Sequence, residues 1–392
     1  MDWASRMNKI PPYLFFELDR IVEQQRQMGH DVINLGIGDP DMATAPHVVE
    51  AMQQAVAEPS NHRYPHYLGS IQFRQAMADW YAHRFGVALD PSDEVVALIG
   101  SKEGIAHLIW AFAEPGDIVL VPDPAYPVYY TQTLLAGAEP YYLPLLAAHN
   151  FLPQLDTIPQ TVLNRATMLW INYPNNPTGA VADKTFLHEA VAFCQQHDLL
   201  LCSDAAYVEM GFDGYRAASV LEIEGAKDVA VEFYSFSKPF NMTGWRIGCA
   251  VGNPKAIAAL GTLKSNLDSG PFTAVQQAAI SGLTHHPEKF FDGMNLMYQK
   301  RRDIVIQGLR DMGLNTSTPR ATFYLWFPTP MHMTSSDAAK FFVETAHVMV
   351  TPGAAYGPHG EGWLRISLTT TEDQLAEAMK RMKKALESLK SV

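Results

Sequence analysis

The chain has 392 residues, of which 47% are hydrophobic and 18% charged, and its formal net charge is −12. That length has room for two domains and a sizeable buried core, and the composition excludes a disordered chain. The acidic balance disfavours a nucleic-acid backbone as partner while leaving room for a local cationic pocket that takes a small anion.

Cys194, Cys202 and Cys249 lie in apolar runs with no CxxC or Cys/His ligand spacing, which predicts buried, reduced thiols. The fourteen histidines, including the pair His285-His286, form no HExxH or similar constellation, so no metal is expected. Met1–Arg6 has no apolar run of signal-peptide length, and no segment approaches the roughly 20 apolar residues of a membrane span. The expectation is a cytoplasmic protein without a membrane partner.

Taken in order, Pro11-Pro12-Tyr13 leads into a helical pattern of Leu14, Phe15, Leu18, Ile21 and Val22, with Gly29 as its stop. This arm would pack on its own chain or on another subunit. Val32–Pro40 reads as a short strand entering a turn at Gly36 and Gly38, where backbone can come close to a ligand or a neighbouring strand. One helix starts at Thr44 and Pro46 and reaches about Ala57; another is capped by Ser70 and stopped by Gly86. Seven short apolar runs follow, at 95–99, 118–121, 140–145, 167–171, 199–203, 229–234 and 247–251. Helical stretches at 103–113, 126–137 and 183–197 separate several of them. Continuous apolar strands between helices predict an α/β domain with a mostly parallel, seven-stranded sheet covered on both faces.

After Asn253 the pattern changes to helices at 253–266, 272–284 and 287–312, a strand at 322–327, a helix at 335–347, a strand at 363–368 and a last helix at 371–390. This predicts a smaller α+β domain. The resulting division is an N-terminal arm and helix (1–45) joining the small domain, a large domain (46–275) and a small C-terminal domain (276–392).

Ligands of parallel sheets bind beyond the carboxyl ends of the strands. Those ends carry Ser101-Lys102-Glu103-Gly104, Asp123-Pro124-Ala125-Tyr126, Asn175-Asn176-Pro177-Thr178-Gly179, Asp204 with Tyr207, and Ser235-Phe236-Ser237-Lys238. Lys238 is a candidate nucleophile, because an amine condenses with an aldehyde to a Schiff base. Ser235, Ser237 and the Arg246 fork suit a dianionic phosphate. An aldehyde that also carries a phosphate is pyridoxal 5′-phosphate (PLP). Its pyridine nitrogen needs a buried carboxylate, for which Asp204 is placed, and its phenolic oxygen needs neutral donors such as Asn176 and Tyr207. Ser101–Gly104 opens a helix whose N–H groups suit the phosphate. Taken singly, each has a plainer reading: Tyr64 and Tyr126 as turn tyrosines, Asp204 as a strand-end cap, Asn176 as a turn residue, Arg365 as a paired surface arginine.

Together, Asn-Asn-Pro-Thr-Gly (175–179), Asp204-Ala-Ala-Tyr207, Ser235-Phe-Ser-Lys238 with Arg246 eight positions on, and Trp-Leu-Arg365-Ile-Ser resemble the fold-type I, class I/II PLP-dependent aminotransferases over essentially the whole chain. The resemblance implies Lys238 as covalent anchor and proton shuttle, Asp204 as pyridinium partner, and Asn176 and Tyr207 as donors to the ring oxygen. It implies Tyr126 stacked on the ring, Ser101, Ser235, Ser237 and Arg246 around the phosphate, and Arg365 on the substrate α-carboxylate. Lys102 and Glu103 would contribute side chains, or only backbone and helix-dipole terms. Tyr64 would reach the phosphate of a neighbouring subunit, making a homodimer with shared sites.

Pro-Pro-Tyr13-Leu-Phe, Leu-Gly-Ile-Gly38-Asp-Pro-Asp, Gly-Ser101-Lys102-Glu-Gly-Ile and Asn-Met-Thr-Gly-Trp-Arg-Ile-Gly look like the LL-diaminopimelate aminotransferase group. The likeness implies Tyr13, Gly38 and Lys102 at the substrate, with Ser269 where that group has an asparagine. Residues 262–270 hold no arginine, only Lys264, so a dicarboxylate site built on a second arginine is not expected. The function implied is transfer of an amino acid's α-amino group to a 2-oxo acid. Alanine, aspartate, glutamate or broad donor ranges stay open, as does a PLP-dependent C–S lyase; a non-catalytic PLP-binding regulator is remote, for want of a spare DNA-binding segment.

Overall fold

A computed structural model describes residues 1–10 and 14–390. In chain order the elements are α1 (Leu14–Gln27), β1 (Ile33–Asn34), α2 (Pro46–Ala57), α3 (Ile71–Phe85), β2 (Val95–Leu98), α4 (Ser101–Phe112), β3 (Ile118–Asp123), α5 (Val128–Ala136), β4 (Glu139–Pro144), α6 (Gln160–Leu163), β5 (Ala166–Ile171), α7 (Lys184–His197), β6 (Leu200–Asp204), α8 (Ala226–Val229), β7 (Ala230–Ser235) and β8 (Gly248–Gly252). There follow α9 (Pro254–Leu267), α10 (Thr273–Thr284), α11 (Pro287–Asp311), β9 (Tyr324–Pro328), α12 (Ser335–Phe341), β10 (Val348–Met349), β11 (Thr351–Pro352), β12 (Trp363–Ser367) and α13 (Glu372–Lys390).

The seven expected apolar runs are the seven strands of one sheet, in the order β2-β8-β7-β6-β5-β3-β4. All neighbours are parallel except β8, which is antiparallel to both β2 and β7. Alternate residues feed two cores, as the pleat requires. Val96, Leu98, Val119, Val121, Met168, Trp170, Val231 and Phe233 join Ile105, Leu108, Ile109, Ile257 and Leu260 beneath α4 and α9. Val95, Ala97, Ile118, Leu120, Leu169, Ile171 and Val251 join Phe73, Met77, Tyr81, Phe186 and Leu187 beneath α3 and α7. Burial on both faces explains why the strands read as unbroken apolar runs rather than alternating ones.

Beyond α10, β9, β11 and β12 form a three-stranded antiparallel sheet against which α12 packs, while α11 and α13 pack on each other. The N-terminal segment joins this part of the molecule: β1 pairs in parallel with β10, and Val22 and Val32 pack on Val343 and Met349. Two spans are shorter than expected. Of residues 32–40 only Ile33–Asn34 is strand; beyond it Leu35 O accepts the Ser367 N–H, and Gly36 O accepts from the Thr351 Oγ1 and Arg365 Nη2 side chains of β11 and β12. The helix expected over 335–347 is α-helical only to Phe341; residues 342–346 form a π turn that ends at His347 with φ 54°.

Candidate active site

The carboxyl ends of β2, β3, β5, β6 and β7 converge on a cavity of about 380 Å³, closed on the other side by Ile37, Gly38, Tyr324 and Arg365. Each wall follows from its element. Asp204 is the last residue of β6, and burial pushes its carboxyl up to about 6. The Tyr129 hydroxyl donates to Oδ2 at 2.7 Å. That bond and the nearby Ala206 N–H offset only part of the burial. Oδ1 is buried with no hydrogen-bond partner of good geometry among the described residues. A half-satisfied carboxylate inside a protein is costly, and a protonated ring nitrogen is the kind of group that relieves it.

Asn172, just past β5, donates from Nδ2 to Asp204 O at 2.7 Å and accepts the Asn176 N–H on Oδ1 at 2.9 Å, so one amide ties two strand ends together. Asn175 accepts from both the Thr178 N–H and its hydroxyl, which fixes the turn that presents Asn176. Asn176 Oδ1 accepts from Arg365 Nη1 at 2.9 Å, leaving its amide N–H groups to donate elsewhere. The Tyr207 hydroxyl lies 3.3 Å from that of Tyr324, and burial and Tyr324 hold the Tyr207 phenol protonated. Both groups are thus neutral donors.

Lys238 follows β7, and its Nζ donates to Gly38 O at 2.9 Å. Burial holds its pKa below the ordinary lysine value; Tyr324 and Asp39 oppose this, and Arg365 and Arg246 add to it. A larger neutral fraction makes the amine a better nucleophile and base. Close by, the Ser237 N–H donates to Ser235 Oγ at 3.2 Å, and Arg246 donates to Thr243 O at 2.8 Å. Arg246 takes a left-handed backbone with φ 56°. Gly100, with φ +80°, precedes α4, and a Cβ there would meet Arg246 Nη2 at 2.3 Å. The absent side chain is what lets the guanidinium lie against the first turn of α4, whose leading N–H groups lack helical partners. The result is a concave set of donors fit for a dianion. Cavity size, orphaned carboxylate, amine and donor cradle all fit PLP.

Arg365, on β12, is 2% exposed. Its guanidinium lies 4.1 Å from the Tyr324 ring centre and 4.9 Å from that of Tyr356, donates to Asn176 and Gly36, and leaves Nε without a partner among the described residues. Lys102 Nζ sits 5.6 Å from the Tyr126 ring centre at the cavity wall. Gly38 has no room for a side chain: a Cβ would lie 1.9 Å from Tyr324 Oη. Tyr324 is buried and packed on Tyr207 and Phe323, so it cannot swing clear. Gly38→Ala is expected to cost about 1–3 kcal/mol of stability through overpacking. By loosening Arg365, it should raise KM for the amino donor about tenfold. Thermal melts and steady-state kinetics on one preparation check both.

The cavity thus brings together Ser101, Lys102, Tyr126, Asn176, Asp204, Tyr207, Ser235, Ser237, Lys238, Arg246, Gly38 and Arg365. The Glu103 side chain is a correction. It does not line the cavity; its carboxylate is taken by Lys264 at 2.7 Å and by the Ile99 N–H at 3.0 Å. As the third residue of α4 it still belongs to the first turn, so its backbone N–H stays with the donor set while its side chain turns away to Lys264. Tyr64 is 90% exposed and Ser269 lies in a surface turn, so neither lines the cavity of its own chain. Tyr13 falls outside the described residues. Three site residues escaped the reading of the sequence. Asn172 stands at a strand end like the others, and Tyr129 is in the first turn of the helix that follows the strand end carrying Tyr126, so both had a signal. Tyr324, an aromatic inside a strand, had none.

Residues 30–382 match the family model for aminotransferase class I and II. The chain is a class I and II aminotransferase. It is 52% identical over 383 residues to an LL-diaminopimelate aminotransferase of Desulforudis audaxviator, covering 98% of this chain and 97% of that one. It is 51% identical to the enzyme of the same name from Moorella thermoacetica, over 98% and 99% of the two chains. Among solved structures, substrate-bound BacF from Bacillus subtilis superposes with a TM-score of 0.94 at 38% identity, covering 98% of each chain. This aminotransferase therefore uses PLP and acts on amino acids and 2-oxo acids. Among the readings of the sequence, transamination stands over the lyase and the regulator. Among the described residues, no helix is long and apolar enough to cross a membrane.

Proposed function

We propose that this aminotransferase takes the α-amino group of LL-diaminopimelate and passes it to a 2-oxo acid, 2-oxoglutarate first among them, as a cytoplasmic homodimer with shared sites. The observation that carries amino-acid recognition is Arg365, a buried guanidinium whose hydrogen bonds go to Asn176 and Gly36 and to no carboxylate among the described residues. Buried arginines are rarely left without an anion, and a planar fork clamps an α-carboxylate in one orientation. The two relatives named above, similar over nearly their full lengths, support the donor. The lack of arginine in 262–270 speaks against a site built for aspartate alone.

When bound, PLP supplies an aldehyde and an electron sink that lets a proton leave the substrate's α-carbon. Lys238 then holds and moves that proton as general base and acid, at an amine kept partly neutral by burial. Asp204 Oδ1 holds a proton on the ring nitrogen. Asn176 and Tyr207 would donate to the ring oxygen, and Tyr126 would hold the ring from the side of the cavity wall. Ser101, Ser235, Ser237 and Arg246, with the first turn of α4, hold the phosphate, joined by Tyr64 of a second copy. Gly38 and Lys102, with Tyr13 and with Ser269 of a second copy, would face the distal end of the substrate.

A half-reaction screen tests the donor. The PLP-loaded enzyme is mixed with LL-diaminopimelate, glutamate, aspartate, alanine or an aromatic amino acid, and cofactor absorbance is followed alongside 2-oxo acid release. LL-diaminopimelate should exceed aspartate, alanine and aromatic donors by ~10²-fold or more in kcat/KM, since the site's polar groups would go unpaired with the wrong donor. Equal responses would make it a broad-range transaminase, and bleaching without release of a 2-oxo acid would sink the reading.

A further inference from the structure

Lys264, on α9, is fully buried, yet it lines no part of the cavity. Its ammonium donates to Glu103 Oε1 at 2.7 Å and to Asp268 Oδ2 and Oδ1 at 3.0 and 3.2 Å. His107 Nδ1 lies 2.8 Å from the same Glu103 oxygen. The ligand-type atoms of Glu103, His107 and Asp268 all lie within 4.8 Å of one another, a spacing that would suit a metal ion. Here the cation is the lysine's own. It spans what a metal would span, and it adds a covalent tie to α9.

What the two carboxylates do with their remaining oxygens gives the cluster its meaning. Glu103 Oε2 accepts the N–H of Ile99, the residue between β2 and the Gly100-Ser101 start of the phosphate cradle. Asp268 Oδ1 accepts the N–H of Gly270 at 2.7 Å and so closes the turn that carries Ser269. Gly270 sits at φ +82°, and a Cβ on it would lie 3.1 Å from His66 O and 3.4 Å from Tyr67 O. The turn therefore rests on the backbone that immediately follows Tyr64. Leu68 O in turn accepts the N–H of Ala97 in β2, bringing the path back to the same strand.

We propose that Lys264 is a positioning residue. It fixes the Ser269 turn and the segment after Tyr64 to the strand end that opens the phosphate site. The two groups a chain extends outward are thereby held in register with its own cavity. The inference rests on the reading above that Tyr64 and Ser269 serve the cavity of a second copy. Without the ammonium, two half-buried carboxylates face each other and the turn loses its anchor.

The test compares wild type, Lys264→Met, and the charge-balanced Lys264→Met/Asp268→Asn, in which the side-chain oxygen that closes the turn is kept but the tie to α4 is cut. In both variants the Gly270 amide of the cofactor-free protein should exchange with deuterium about tenfold faster or more. KM for the amino donor should rise about tenfold, with kcat within about threefold of wild type. A purely structural role would lower the melting temperature and leave KM and Gly270 exchange unchanged. That result, or a double variant restored to wild-type KM, overturns the proposal. Should Lys264→Met fail to fold, the double variant carries the test. Sedimentation of the wild type separates the two layers: an active monomer removes the shared-site reading itself, whereas a dimer with unmoved variant KM removes only the role of Lys264.

Discussion

Lys238→Ala is expected to fold, to take up PLP and to be inactive. The loss should be on the order of 10⁶-fold in kcat, the scale seen when a group that is both covalent anchor and proton carrier is removed. Nothing else in the cavity can substitute for it. Lys102 is occupied over the Tyr126 ring at the wall, and the Arg246 and Arg365 guanidiniums are held by Thr243 O and by Asn176 and Gly36 O. The Ser235–Arg246 cradle, Asp204 and Tyr126 are untouched by the change, so cofactor affinity should fall far less than activity. Borohydride should fix the cofactor irreversibly to wild type and not to the variant. A variant that turns over at more than a trace of the wild-type rate would remove Lys238 from the mechanism.

Asp204→Asn should separate stability from activity. The folded-state pKa of Asp204, about 6, lies above its ordinary 3.8, so between those values the folded, cofactor-free protein holds a proton that the unfolded chain has released. Stability therefore falls as pH rises through that window and levels off above it. At neutral pH the cost of ionising this buried carboxylate is about 3 kcal/mol. Asparagine carries no charge to bury, so the cofactor-free variant should melt a few degrees higher than wild type at pH 7.5. The difference should shrink as the pH drops toward 5. Asparagine also cannot hold a proton on the ring nitrogen, and the half-reaction should slow by ~10³-fold, as for loss of a preorganised electrostatic group. Melting curves of both cofactor-free proteins at the two pH values, with stopped-flow half-reactions, check both halves. Equal stability across that range would mean the carboxylate is not strained by burial.

The groups that could be found from the sequence share one property: they sit where an unbroken apolar run stops. Asp204, Ser235 and Lys238 close or follow buried strands, and a parallel sheet brings such ends together wherever they lie in the chain. Asn172 obeys the same rule and could have been read. The Glu103 side chain leaves the cavity because each residue of a helix turns about 100° from the last, so sequence neighbours in one turn point different ways. Its true partner, Lys264, lies 161 positions away, a separation that no local pattern reports. Tyr324 is illegible for a different reason. In Thr322-Phe323-Tyr324-Leu325-Trp326-Phe327 every aromatic looks like core, and only the close approach of Gly38 shows which hydroxyl reaches the cavity. The shortened first strand goes with Gly36 O being taken by the side-chain donors Thr351 and Arg365 in place of a ladder partner, which periodicity does not reveal.

The one antiparallel intruder in the large sheet bears on how freely this protein can change. Because β8 runs back along β7, Ser235 faces Gly248 across the ladder, and the Phe236 N–H donates to Ile247 O at 3.3 Å. The twelve residues from 236 to 247 are thus pinned at both ends by strand register, with Lys238 near one end and Arg246 near the other. Elsewhere the walls of the cavity hang on separate crossovers, where an inserted residue can be absorbed by a surface loop. Between 236 and 247 a gained or lost residue has no slack to enter. It would move the amine relative to the guanidinium, or slip the strand and turn its side chains to the wrong face. Over evolutionary time, substitutions can accumulate in this stretch, but its length should hold constant.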